Sequence, residues 1–164
     1  MARSVYVTAM EPGTGKSAVV LGVTEVLSRN AAHLAFYRPF VTSADTPDPA
    51  IELIRQRYRL SQTPEESFVL TADDLHNFDV RGGYDALLKR VLDGYAALAA
   101  DADVVVIEGS DFTEASLAVA LDLNVDAASH LGSPVLLVVG GRRRTVEQVL
   151  DAVRRARQAA SPAT

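Results

Sequence analysis

The chain has 164 residues, enough for one domain with a real core and too few for two ordinary ones. Apolar residues make up 48% and charged residues 23%, the balance of a globular domain. A net charge of −5 argues against a broad nucleic-acid footprint, and the lack of cysteine removes disulfides, thiolate metal sites and a cysteine nucleophile. No stretch approaches the ~18 apolar residues of a membrane span, and the opening MARSVYVTAM lacks the apolar core of a signal peptide. A soluble, cytoplasmic domain without nucleic-acid or membrane partners is expected.

Residues 4–8 (SVYVT) read as a first strand. The segment Glu11-Pro12-Gly13-Thr14-Gly15-Lys16-Ser17 follows, and residues 16–28 read as a helix. Strand, glycine-rich turn, lysine, hydroxyl and helix fall in the order of a phosphate-binding P-loop. Gly13 and Gly15 allow a tight turn that leaves amides pointing inward, and the helix start adds partial positive charge. Lys16 supplies a full charge for the β and γ phosphates, and Ser17 a hydroxyl for Mg²⁺. The first glycine of the usual pattern is missing, since Ala9 and Met10 occupy the places where it would fall.

A second strand is expected at residues 33–37 and a helix at 49–58, with Asp48 before Pro49 as N-cap. Thr63 and Glu66 form a capping box with Pro64 at the first helical position, and Thr71 before Asp73-Asp74 reads as another helix start. Residues 84–98 place Leu87, Leu88, Val91, Leu92, Tyr95 and Leu98 on one helical face. A third strand at 104–107 (VVVI) and a fourth at 134–139 (PVLLVV) are continuously apolar, as expected for strands covered on both faces. Glu108 ends the third strand at the edge where open α/β sheets bind ligands, which makes it a metal carboxylate candidate; Asp111 is weaker and Ser110 lies in no nucleophile elbow. A last helix spans 145–159, opened by a Thr145–Gln148 capping box, and the final SPAT is expected to fray. His33, His76 and His130 show no metal-ligand spacing. Arg142-Arg143-Arg144 is a loop cluster at the same sheet edge as residues 11–17. Alternation of strands and helices predicts an α/β fold of three layers, P-loop NTPase-like, with a mostly parallel sheet flanked by helices.

The 11–17 loop, Tyr37-Arg38-Pro39-Phe40 and Ile107-Glu108-Gly109 together resemble the dethiobiotin synthetase superfamily. The chain is more similar still to the domain that precedes the acyltransferase domain in long bacterial phosphate acetyltransferases; residues 54–58, 121–137 and 140–145 share that likeness. The resemblance implies a nucleotide-binding, regulatory domain over residues 1–164, taking ATP or another nucleoside triphosphate with Mg²⁺. It implies a C-terminal acyltransferase domain, absent here, that moves acetyl groups between coenzyme A and phosphate, and it implies self-association into homo-oligomers. Within it, Gly13 to Ser17 match the phosphate loop, Glu108 the metal-binding glutamate and Asp48 a second metal-binding aspartate.

Two departures stand out. Dethiobiotin synthetases carry a substrate-binding lysine where this chain has Arg38, which stays protonated and could clamp an anion or close a salt bridge at a strand end. Family members also continue to a further strand whose asparagine reads the base, so a domain truncated before its last strand is expected. Whether the domain is itself an enzyme stays open. Two alternatives accompany the regulatory reading: an ATP-dependent, dethiobiotin-synthetase-like ligase, and a scaffold that has lost nucleotide binding, supported by Ala9 and Met10.

Overall fold

The computed structural model describes residues 2–9, 11–77, 83–109 and 117–159; Met10, Ser110, Asp111 and the tail 160–164, all singled out in the sequence, lie outside the described residues. Four strands make the main sheet: β1 (Arg3–Ala9), β2 (Leu34–Tyr37), β5 (Val104–Glu108) and β6 (Val135–Val138). Their order is β2-β5-β1-β6, every pair parallel. Two further strands, β3 (Phe40–Val41) and β4 (Leu70–Thr71), pair in parallel apart from it. The helices are α1 (Lys16–Ser28), α2 (Pro49–Tyr58), α3 (Ala72–His76), α4 (Gly83–Ala99), α5 (Leu117–His130) and α6 (Val146–Ala159), with a 3-10 turn at Glu65–Ser67.

Strand alternation sorts the core into two layers. Tyr6, Ala35, Tyr37, Val105 and Ile107 face Leu87, Leu88, Val91 and Tyr95 of α4 and Leu123 and Ala127 of α5. Val7, Phe36 and Val106 face Val20 of α1 and Ile51 and Ile54 of α2. The result is the helix–sheet–helix sandwich that the alternating elements predict. Residue 108 shares the parity of Val106, so Glu108 emerges on the α1–α2 face at the carboxyl end of a fully buried central strand.

The expected caps are all present. Asp48 Oδ1 accepts from the amides of Ala50 and Ile51 at 2.9 and 3.1 Å. Thr63 and Glu66, and likewise Thr145 and Gln148, exchange side-chain and backbone hydrogen bonds. Thr71 forms a capping box with Asp74 at the start of α3.

Two elements differ from the sequence reading. The periodicity assigns nothing to the segment between the third and fourth strands, which α5 fills. Its run of five apolar residues at 117–121 hides the period, although Leu123, Asn124, Ala127 and Ala128 are buried at helical spacing. The fourth strand is not covered on both faces. Among the described residues β6 bonds only to β1, at one edge of the sheet, and Val135 and Leu136 are exposed along with Val146 and Leu150 of α6.

The opposite edge is closed by a side chain. The Gln62 amide accepts from Phe36 N–H at 2.8 Å and donates to Phe36 C=O at 2.7 Å, as a neighbouring strand would, and also donates to Ser67 Oγ at 2.6 Å. Gln62→Ala strips partners from a buried strand, and a loss of about 1–3 kcal/mol is expected. A drop of several degrees in melting temperature checks this; an unchanged melt refutes it.

Candidate functional site

The site forms where β1 and β5 end side by side. After β1 the backbone turns through Gly13 (φ 72°) and Gly15 (φ 86°), both in the left-handed region that favours glycine. Gly15 is the N-cap of α1, and no side chain caps this helix or places acid in its first turn. Lys16, a cation, holds the first helical position instead. The helix dipole opposes a cation there, so an anion on the loop would relieve both the uncapped amides and the misplaced charge.

Lys16 and Ser17 converge on Glu108. The Lys16 side chain is 2% exposed; its ammonium donates to the Gly109 carbonyl and lies 3.8 Å from Glu108 Oε1. Ser17 Oγ donates to the same Oε1 at 3.3 Å. Arg38, just beyond β2, sets Nη1 2.9 Å from Glu108 Oε1 and Nε 3.1 Å from Asp48 Oδ2. Three cationic or hydroxyl groups thus share one oxygen of Glu108, while its Oε2 is buried without a hydrogen-bond partner. Thr14 Oγ1, Thr8 Oγ1 and Arg38 Nε are the other buried side-chain atoms lacking one among the described residues; Thr8 shares the parity of Tyr6 and faces the other side of the sheet, and Arg38 Nε makes its ion pair without hydrogen-bond geometry. Unmet polar capacity on Glu108 and Arg38, side by side, leaves room for a ligand to satisfy it.

The loop after β6 packs on the glycine turn. A Cβ built on Gly140 would sit 3.6 Å from Thr14 Cγ2. Arg144 reaches Glu11 in a two-pronged ion pair at 2.7 and 2.5 Å and donates to the Gly140 carbonyl at 3.2 Å. The guanidinium holds the Glu11 carboxyl below the usual carboxylate range. Of the basic cluster at 142–144, one arginine therefore latches the loop.

The structure brings together Gly13, Thr14, Gly15, Lys16, Ser17, Arg38, Asp48 and Glu108. Asp48 is at once the cap of α2 and an ion-pair partner of Arg38. Sequence reasoning did not give Gly109 a role. A Cβ there would lie 2.8 Å from Asn124 Oδ1, 2.9 Å from Tyr6 Cε1 and 3.0 Å from Thr8 Oγ1. The Tyr6 hydroxyl is itself held by Asn124 at 2.6 Å, so that wall is stiff, and burial pushes its pKa up. Gly109→Ala is expected to cost about 1–3 kcal/mol and to shift the carbonyl that anchors Lys16. Chemical denaturation checks the first effect; a variant as stable as the parent would show that the wall yields.

Ser17, Glu108 and Asp48 offer hard oxygen ligands of the kind Mg²⁺ prefers, and the unpartnered Glu108 Oε2 fits such an ion. Among the described residues no three His, Asp or Glu side chains gather as a self-sufficient metal site. Nor is any described helix long and apolar enough to cross a membrane.

A family model described as AAA domain matches residues 3–163. The phosphate acetyltransferase of Nitratidesulfovibrio vulgaris is 34% identical over 152 residues, which are 92% of this chain and 22% of that protein. That of Synechocystis sp. is 31% identical over 155 residues, 93% of this chain and 22% of that protein. The Escherichia coli phosphate acetyltransferase is 24% identical over 156 residues, 93% and 21%. The chain thus spans about a fifth of the length of the curated relatives it matches. Among solved structures, the signal recognition particle receptor FtsY from Elizabethkingia anophelis superposes with a TM-score of 0.51 and 18% identity, over 100% of this chain and 49% of that one; this likeness speaks for the fold alone.

Proposed function

The chain belongs to the AAA domain family, the P-loop, dethiobiotin-synthetase-like kind, and on that premise we propose that it is the N-terminal nucleotide-binding, regulatory domain of a phosphate acetyltransferase. It binds ATP or another nucleoside triphosphate with Mg²⁺. Amides of Gly13, Thr14 and Gly15 and the open start of α1 face the phosphates, Glu11 braces the loop through Arg144, and Lys16 pairs with phosphate oxygens. Ser17, Glu108 and Asp48 hold the metal. The ion, when bound, screens the phosphate charge. A C-terminal acyltransferase domain carries out acetyl transfer between coenzyme A and phosphate in the cytoplasm, and nucleotide occupancy biases its activity. The exposed apolar residues on β6 and α6 support a contact surface for that domain or for further copies of the chain.

The observation that carries this reading is the uncapped, lysine-first start of α1 beside a buried carboxylate with one unpartnered oxygen. A ligase of the dethiobiotin synthetase kind gains no such support, because Arg38 is paired with two carboxylates where a substrate-binding lysine would stand. Isothermal titration with ATP and Mg²⁺ tests the proposal. Saturable heat is expected; no heat with any nucleoside triphosphate leaves only a scaffold.

A further inference from the structure

Arg38 stands between the two carboxylates that the nucleotide reading assigns to the metal. Its Nη1 is 2.9 Å from Glu108 Oε1 and its Nε 3.1 Å from Asp48 Oδ2, so one planar guanidinium spans both. All three groups are held in place. Arg38 N–H donates to Ser67 C=O at 2.8 Å, and the next carbonyl, of Pro39, accepts from Val69 and Leu70. The other oxygen of Asp48 is committed to the α2 amides, and Glu108 lies on the central strand.

Charge decides what this bridge does. Among the described ion pairs, Asp48 and Glu108 bring two negative charges and Arg38 and Lys16 two positive ones, so these four groups balance without an added ion. A divalent cation entering alone would leave two excess positive charges in a largely buried site, which low-dielectric surroundings penalise heavily. A metal arriving with a polyphosphate brings net negative charge, and Lys16 can then turn to the phosphates.

We propose that Arg38 is a resident stand-in for the divalent cation: it occupies the Asp48–Glu108 pair, denies it to a free metal ion, and yields only when metal and nucleotide phosphates enter together. The proposal rests on the nucleotide reading for its physiological meaning, but its central claim concerns the metal alone and is tested without nucleotide. The guanidinium is the gate, so metal binding is coupled to phosphate binding by electrostatics and needs no moving lid.

Mn²⁺ binding to the 164-residue protein, followed by the EPR signal of the free ion, tests it with Mn²⁺ as sole ligand. The parent should bind none at millimolar Mn²⁺. Arg38→Gln, which leaves the carboxylate pair without its bridge, should bind at least tenfold more tightly than the parent, and Mn²⁺ should raise its melting temperature while leaving the parent's unchanged. Should Arg38→Gln fail to fold, Arg38→Met decides. Its neutral side chain likewise removes the bridging charge, so measurable Mn²⁺ binding is still expected. Tight binding by the parent alone, or no gain in any folded Arg38 variant, overturns the proposal. Failure of ATP to bind the parent would instead remove the nucleotide reading, and this metal measurement would be unaffected by it.

Discussion

Lys16→Ala is expected to remove most of the affinity for ATP and Mg²⁺ while leaving the fold in place. A charge-assisted hydrogen bond contributes about 1.5–3 kcal/mol, so dissociation constants should rise about 10- to 100-fold. The fold should survive because Lys16 is not the chief counter-ion of Glu108. Its ammonium lies 3.8 Å from Oε1, whereas Arg38 approaches to 2.9 Å and remains after the substitution. The lost contacts include that long pair and the bond to the Gly109 carbonyl. Titration calorimetry at fixed ionic strength, with a thermal melt on the same sample, separates the two effects. Unaltered affinity with an unaltered melt would show that the ammonium never meets phosphate.

The second large effect falls on stability. Glu108 is fully buried and is the only carboxylate paired with both Arg38 and Lys16 among the described ion pairs. Glu108→Ala leaves Lys16, itself buried, without that counter-charge and takes one of two carboxylates from Arg38. Breaking a buried pair from one side costs about 3–5 kcal/mol. Arg38 keeps Asp48 and some contact with water, which places the expected loss at the lower end. For a domain of this size the melting temperature should fall by roughly 10 °C. Glu108→Gln should fall between the two, because it keeps an acceptor for Ser17 and Arg38 but not the charge. An alanine variant within about 1 kcal/mol of the parent would mean that water reaches the cluster and screens it.

The two substitutions divide the site by role. Lys16 is expected to matter for the ligand and little for the fold, whereas Glu108 matters for both. The difference follows from pairing rather than exposure. Lys16 is as buried as Glu108, but its removal leaves Glu108 paired with Arg38. Glu108 ends a strand flanked on both sides, where an ion that loses its partner has no solvent to turn to.

Local features were legible in the chain because they depend on neighbours three or four residues apart. The Asp48 cap, the Thr63–Glu66 and Thr145–Gln148 boxes and the glycine turn into Lys16 are of this kind. The four principal strands were readable from short apolar runs, three of them rich in β-branched residues. The segment of α5 was not, because its leading apolar block shows no single period.

The sequence by itself determined the alternating α/β order, the parallel sheet it implies and the P-loop pattern of residues 11–17. It also placed an acid, Glu108, at the end of an apolar strand. Only the tertiary structure decided that Arg38 bridges Asp48 and Glu108, that Arg144 latches Glu11 across 133 positions, and that Gln62 stands in for a missing strand beside β2. Those contacts follow from the strand order β2-β5-β1-β6, which sets the ends of the second and third principal strands side by side. Spacing along the chain cannot encode such neighbours. They are set by which strands share hydrogen bonds, and that is resolved only when both faces of the sheet are buried together.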